Sequence, residues 1–157
     1  MKSNIEQKWI KICKYMNEFQ EEYHKLSSYY KLADSSFWIL YELYQNEDGC
    51  TQKELYTDWC LNKQTINSSV KYLINEGYIM LEYLDNSKKS KKLKLTKKGK
   101  EIAKMSVGKV MKLETKAFEN IDENEMDITI NFLEKQSMSF KNEVNKVIKK
   151  EKIEKWI

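Results

Sequence analysis

The sequence predicts a mostly α-helical chain with one small β-hairpin. Three observations carry that reading. The 157 residues contain no proline, so nothing forces a break inside a helix. Apolar residues recur at helical spacing near both ends. Alternation of apolar and polar residues is confined to one short stretch, around residues 78–95.

The first helix is expected from Lys2 to Lys31. Ile5, Trp9, Ile12, Met16, Phe19, Tyr23, Leu26 and Tyr30 follow steps of four and three without a miss, which is a heptad seam. Such a helix is roughly 45 Å long at 1.5 Å per residue. A domain this small struggles to cover so long a stripe alone, so a partner subunit is expected on it, against packing only within its own subunit. Leu32 to Ser36 is a break, with Asp34 or Ser35 as the next cap. Phe37 to Tyr44 is apolar on nearly every side and reads as a central helix. Gln45 to Cys50 is a loop containing Asp48-Gly49. Cys50 and Thr51 are placed to add a short third strand to the hairpin.

Thr51-x-x-Glu54 is a capping box, in which hydroxyl and carboxylate satisfy each other's backbone N–H groups. Leu55 and Trp59 share one face of the short helix that follows. Cys60 and Leu61 close the turn, and Asn62 is a good N-cap for a second helix. That helix buries Ile66, Val70, Leu73 and Ile74 on one face. Its other face carries Lys63, Gln64, Thr65, Asn67, Ser68 and Lys71, with no carboxylate from Lys63 to Ile74. Gly77 follows, able to take the left-handed conformation of a helix stop. Tyr78 to Leu84 then alternates, with Ile79, Leu81 and Leu84 apolar and Glu82 between. Leu93 and Leu95 alternate with Lys94. The hairpin tip, Asp85 to Lys92, holds four lysines: Lys88, Lys89, Lys91 and Lys92.

Thr96 caps a helix from Lys97 to about Glu119, with Ile102, Met105, Val110, Leu113 and Ala117 as its inner face. Gly108 marks a bend or a close approach. Asp122-x-x-Glu125 is a further capping box. The last helix runs to about Lys152, with Met126, Ile130, Leu133, Phe140, Val144 and Val147 inward and Ser137 interrupting the stripe. Ile153, Trp156 and Ile157 are large apolar groups suited to docking on a partner subunit.

The acid-free helix face carries the functional argument. A solvated helix face ordinarily mixes both signs of charge. A helix bound for the DNA major groove must avoid negative charge and offer short donors and acceptors to base edges. A lysine-loaded hairpin repels itself unless a polyanion lies nearby. Helix, turn, helix and basic hairpin together make a winged helix-turn-helix. The expected organisation is a single domain, 1–157. Residues 34–96 form the winged helix-turn-helix, and 1–33 and 97–157 form long N- and C-terminal dimerisation helices. A two-fold dimer would set two recognition helices about 34–36 Å apart on a palindrome. Lys63, Gln64, Thr65, Asn67 and Ser68 approach bases with Asn62 beside them. Lys71, Lys88, Lys89, Lys91 and Lys92 meet phosphates or the minor groove. Thr51 and Gln52 offer N–H groups at a helix start to a phosphate.

Thr51-Gln52-x-Glu54-Leu55, Asn62-Lys63-Gln64-Thr65-Ile66, Leu73-x-x-x-Gly77-Tyr78-Ile79 and Leu95-Thr96-Lys97-Lys98-Gly99 resemble the MarR-type transcriptional regulators. The resemblance extends over essentially the whole chain. It implies a homodimer on double-stranded DNA, acting as a repressor, in which a small ligand, aromatic ones among them, or an oxidant alters the dimer and so the spacing of its two DNA heads. The family often carries Asp-x-Arg at the wing tip, where Ser87 and Lys89 stand here. Its ligands sit where the first two helices and the later long helix meet the DNA-binding region. On that pattern Trp9, Phe19, Tyr23, Tyr30, Trp38 and Tyr41 are the candidate pocket, against ordinary core packing. Cys13 matches the position of a cysteine in peroxide-sensing relatives, against an inert core thiol. A lone His24 cannot build the multi-histidine zinc site of some relatives, so no metal or cofactor is expected.

Net charge is only +4, so the basic character is local. All 28 basic residues are lysines. Lysine supplies point charges to phosphates but not the flat fork that reads guanine, whereas Asn and Gln suit adenine. An A·T-rich operator is therefore expected. Three cysteines without metal or disulfide spacing, and no leader or long apolar run, point to a reducing cytoplasm and no membrane. One histidine, no Gly-rich phosphate loop and no paired metal-ligand motif argue against an enzyme. A winged helix used only for protein contacts is the remaining rival.

Overall fold

The computed structural model of the chain describes residues 3–59, 62–83 and 91–154. The order is α1 (Asn4–Tyr29), α2 (Asp34–Gln45), α3 (Gln52–Asp58), α4 (Lys63–Asn75), β1 (Ile79–Tyr83), β2 (Lys91–Leu95), α5 (Lys97–Met105), α6 (Val107–Phe118) and α7 (Glu123–Glu154). The chain divides into two compact units, Met1–Leu113 and Glu114–Ile157.

The first unit is built on α2. Phe37, Ile39, Leu40 and Leu43 of this helix are buried, as its all-round apolar character demands. They pack with Leu55 of α3, with Ile66, Val70 and Leu73 of α4, with Ile79 and Leu93 of the hairpin, and with Val107 and Val110 of α6. α1 begins at Ser3, where a capping box with Glu6 fixes the start. Its heptad seam is divided. Tyr23, Leu26 and Tyr30 pack on the core, while Ile5 and Phe19 are 80% and 68% exposed.

The junction between α1 and α2 corrects one expectation. The N-cap is Ala33, and neither Asp34 nor Ser35 caps the helix. The Asp34 carboxylate is engaged elsewhere, accepting from the Ser27 hydroxyl and sitting 2.9 Å from His24 Nδ1. Burial opposes the charge on Asp34, but the Ser27 hydroxyl and the His24 ring outweigh it and hold the carboxyl below its ordinary value. His24 is thus a polar staple between two helices. Lys31 makes the corner with a positive φ of 57°.

The two strands pair antiparallel, with Ile79 opposite Leu95, Leu81 opposite Leu93, and Tyr83 opposite Lys91. The alternation buries only the base of the hairpin. Ile79 and Leu93 are covered, whereas Leu81, directly opposite Leu93, is 41% exposed: β2 is flanked by Cys50 on its far side and β1 is the outer strand. The expected third strand reduces to one bridge, in which Cys50 and Leu93 exchange both backbone hydrogen bonds at 3.2 and 2.7 Å. Lys91 and Lys92 belong to β2 and not to the tip.

The helix expected from Lys97 to Glu119 is two helices. Ser106, fully buried, donates its hydroxyl to the Ile102 carbonyl at 2.7 Å. A serine bonding back four residues bends a helix, and the chain breaks there, with φ −107° and ψ −78°. The break re-aims the inner face. Ala103, Val107 and Val110 are buried, while Met105, Leu113 and Ala117, expected inside, are exposed. Gly108 is a close approach: a Cβ there would meet the Tyr44 hydroxyl at 2.9 Å.

In the second unit, Asp122 caps α7 by accepting the Asn124 N–H at 2.8 Å. The stripe expected to face inward is open along its length. Met126, Ile130, Leu133, Phe140, Val144 and Val147 are all exposed. No residue from 123 to 149 is buried. The Ile153 side chain, Trp156 and Ile157 lie outside the described residues, as do Cys60, Leu61, Leu84 and the tip residues 85–90 with Ser87, Lys88 and Lys89.

Gly99 ties α5 to the end of β1's approach. A Cβ there would lie 1.8 Å from the Tyr78 carbonyl oxygen, a backbone atom that cannot step aside. Gly99→Ala should destabilise the fold by about 1–3 kcal/mol through overpacking. Urea unfolding followed by circular dichroism measures it, and an unchanged midpoint would contradict the close approach.

Candidate nucleic-acid interface

The acid-free helix is α4. Asn62 caps it, its side-chain oxygen accepting the Thr65 N–H at 2.8 Å. Such a cap is worth about 1 kcal/mol. At the far end, Tyr78 N–H reaches the Leu73 carbonyl and Gly77 N–H the Ile74 carbonyl, both at 2.9 Å. Gly77 has φ 71°, which completes a Schellman stop. Ile66, Val70 and Leu73 are buried as expected, and Ile74 is half-buried.

Lys63, Gln64, Asn67, Ser68 and Lys71 are exposed on the opposite side, with Thr65 half-buried. These residues therefore form one continuous carboxylate-free surface. The Ser68 hydroxyl donates within its own helix, to the Thr65 carbonyl at 2.9 Å. The Asn62 oxygen is taken by the cap. Ser69 is the residue that sequence reasoning missed. It turns inward and its hydroxyl lies 2.6 Å from that of Ser35 on α2. That pair sets α4 against the central helix. The signal was present, since Ser69 falls three residues after Ile66 on the buried face.

Thr51 and Gln52 stand at the start of α3. The capping box forms there: Thr51 N–H reaches Glu54 Oε2 at 2.6 Å, and Glu54 N–H reaches the Thr51 hydroxyl at 3.2 Å. The Thr51 backbone N–H, and then its hydroxyl, hold the Glu54 carboxyl below its ordinary value, with Lys92 adding a smaller pull against the effect of burial. A charged carboxylate therefore sits on this helix start, which weakens its attraction for a phosphate.

The hairpin divides its lysines. Lys91 lies over the Tyr83 ring, 4.9 Å from its centroid. Lys92 projects from the other face of the strand, directly opposite Glu82. Lys94 forms an ion pair with Glu82 at 2.6 Å, and that hydrogen bond raises its pKa. Behind the hairpin, Lys98 donates to the Glu76 carbonyl at 2.7 Å and lies over the Tyr78 ring.

Of the candidate ligand-binding aromatics, the structure brings Tyr23, Trp38 and Tyr41 together. Tyr23 and Trp38 are 4.8 Å apart between centroids, and Trp38 and Tyr41 5.4 Å. Two further members were not anticipated. Trp59 stacks on Trp38 at 4.8 Å, and Phe37 packs edge-on against Trp38 at 5.5 Å. Trp59 Nε1 donates to Glu42 at 3.1 Å. The rings of the cluster lie against one another. Tyr30 packs on the core beside Tyr29, and Phe19 is exposed and outside the cluster. Trp9 is half-buried farther along α1. Cys13 is half-buried on α1 and Cys50 is buried. Among the described residues no group of three or more His, Cys, Asp or Glu side chains could hold a metal ion. No helix among them is long and apolar enough to cross a membrane.

No family model and no curated protein matches the sequence. Solved structures match its fold. A MarR family regulator from Neisseria meningitidis superposes with a TM-score of 0.76 at 22% identity, over 92% of this chain and 99% of that one. A putative MarR family transcriptional regulator from Listeria monocytogenes, complexed with a 26mer DNA, gives 0.67 at 21% identity, over 88% and 89%. Staphylococcus aureus MarR, in complex with salicylate and kanamycin, gives 0.65 at 22%, over 87% and 92%. The chain shares the winged helix-turn-helix fold of these regulators.

Proposed function

We propose that the chain is a MarR-type transcriptional regulator that binds double-stranded DNA sequence-specifically as a homodimer. The observation that carries this reading is the surface of α4. It exposes amide, hydroxyl and ammonium groups and no carboxylate, and it is capped and stopped at defined residues. The Listeria neighbour, solved with DNA, supports the reading through its shared fold. Gln64, Asn67 and Lys63 approach base edges, while Lys71 and the hairpin lysines meet phosphates. Thr51 and Gln52 contribute less than their position implies, because Glu54 occupies that helix start. The protein acts as a repressor released by a small ligand; the Staphylococcus neighbour carries salicylate.

Selection from random duplexes should return A·T-rich palindromes with half-sites one helical turn apart, because a lysine-only basic set lacks the guanine-reading fork. Consistently G·C-rich half-sites would sink the base-reading assignment. No retention of any duplex at low salt would leave a protein-contact module.

Changing Lys88, Lys89, Lys91 and Lys92 together to Ala should weaken binding. It should also flatten the plot of log affinity against log salt by roughly 0.9 for each phosphate no longer neutralised. Lys91→Ala alone should change the slope more than Lys92→Ala, because Glu82 opposes Lys92 and Glu54 lies within its reach. An unaltered slope in the fourfold variant removes the hairpin from the interface.

A second copy of the chain covers the open seams of α1 and α7. Sedimentation should give twice the chain mass. Phe19→Glu with Phe140→Glu, both at positions exposed in one chain, should give a monomer with its helical content kept for α2 to α6. A dimer that survives both changes rules these seams out of the contact.

A further inference from the structure

The last turn of α4 has no basic residue of its own, and its C-cap, Glu76, is acidic. The carbonyls that end a helix carry the negative pole of its dipole. This end therefore lacks the cation that would favour it and bears a charge that opposes it. The cation comes from another element. Lys98, in the first turn of α5, donates from its ammonium to the Glu76 carbonyl at 2.7 Å. The same ammonium lies 4.6 Å from the centroid of the Tyr78 ring. Glu76 and Tyr78 flank Gly77, the left-handed residue at which α4 stops. One side chain thus grips both sides of the stop.

Its neighbours in the chain fix where Lys98 stands. Thr96 donates its hydroxyl to the Gly77 carbonyl at 2.6 Å. Gly99 lies so close to Tyr78 that a Cβ would collide with the Tyr78 carbonyl oxygen. These two contacts hold the start of α5 against the base of the hairpin. Of the three residues, Lys98 is the one that reaches the cap residue of α4. It also differs from the lysines of the α4 face. Lys63 and Lys71 are exposed on the outer side of that helix. The Lys98 ammonium is turned back onto a carbonyl and a ring, and a phosphate would have to compete with both.

We propose that Lys98 is a positioning residue for DNA binding. It locks the C-terminal end of α4 to α5 and so sets the recognition helix against the duplex, without itself neutralising a phosphate. The effect on DNA rests on the DNA-binding reading; the lock on α4 does not.

Two variants of the whole protein test it. Lys98→Met keeps an unbranched side chain and removes the charge. Lys98→Arg keeps the charge, donates to a carbonyl and stacks on a tyrosine ring. The lock is read without DNA, by amide hydrogen exchange. Gly77 and Tyr78 N–H bond to the Ile74 and Leu73 carbonyls, both at 2.9 Å. These two amides should exchange about three-fold or more faster in Lys98→Met, and at the parent rate in Lys98→Arg. The Cys50 and Leu93 amides, which join the hairpin to the entrance of α3, should keep the parent rate in both. No acceleration at Gly77 and Tyr78, equal acceleration at all four amides, or the same acceleration with arginine overturns the lock.

The role in binding is read on a duplex selected by the parent protein, over a series of salt concentrations. The temperature is one at which circular dichroism gives every variant the parent's helix content. Lys98→Met should weaken affinity about three-fold or more, along a line parallel to the parent's in log affinity against log salt. Lys98→Arg should restore it. Lys71→Ala should instead flatten the line by roughly 0.9, the loss of one phosphate contact. The same flattening in Lys98→Met would make Lys98 a phosphate contact and overturn the positioning role. Parent affinity in Lys98→Met, or no rescue by arginine, overturns it as well. If the parent retains no duplex, the DNA-binding reading fails and the role in binding with it, while amide exchange still decides the lock.

Discussion

The helix-turn-helix and the hairpin are joined through one backbone contact. Leu93 is fully buried and exchanges two hydrogen bonds with Cys50 while pairing with Leu81 in the hairpin. Cys50 is the residue before the Thr51 cap of α3, so the base of the wing is bonded to the entrance of the helix-turn-helix. Burying a leucine of this size is worth about 1.5–3 kcal/mol. The larger consequence is register. A slip of one residue along β2 would turn Leu93 to solvent and exchange the faces of Lys91 and Lys92. Thr96 closes the other side of this frame. Its hydroxyl donates to the Gly77 carbonyl at 2.6 Å and its N–H to the Tyr78 carbonyl at 3.0 Å. The end of α4, the base of the hairpin and the start of α5 are therefore held at one corner.

The charge pattern follows from that frame rather than from net charge, which is only +4. Three carboxylates around the candidate interface are held in structural bonds. Glu54 completes a cap, Glu82 holds Lys94, and Glu42 accepts from Trp59. The outer face of α4 is left with amides, hydroxyls and lysines. A polyanion approaching α4 would meet positive potential there, with the negative groups lying where their hydrogen bonds keep them. This is a local field of the kind that falls off within about 10 Å at ordinary salt. It explains how a chain of modest overall charge presents a basic surface.

What was legible in the sequence was mostly local. The caps at Thr51, Asn62 and Thr96 and the stop at Gly77 are set by residues within a few positions of one another, and each forms. The α4 stripe is equally short-range. The misses share a different cause. The break at Ser106, where the hydroxyl bonds back to Ile102, is an outcome that the apolar spacing does not encode. Asp34 fails as a cap because Ser27 and His24, from the preceding helix, claim its carboxylate. Trp59 and Phe37 join the aromatic cluster through tertiary packing, which spacing on one helix cannot reveal. For the candidate interface, the residue types and the face were readable. The occupation of the α3 start by Glu54 and the division of the hairpin lysines needed coordinates.

The open apolar residues of α7 set a physical demand of their own. Met126, Ile130, Leu133, Phe140, Val144 and Val147 keep steps of three, four and, across Ser137, seven, so they form one seam along the helix. Ile128 and Met138 lie well away from that seam, since about 100° separates successive residues. The helix thus carries exposed apolar groups beyond the seam near its beginning and its middle. An isolated helix draws little stability from its own hydrogen bonds in water, and packing must supply the rest. By that argument an exposed seam of this length needs an apolar surface laid along it, and the second copy of the chain proposed above would supply one.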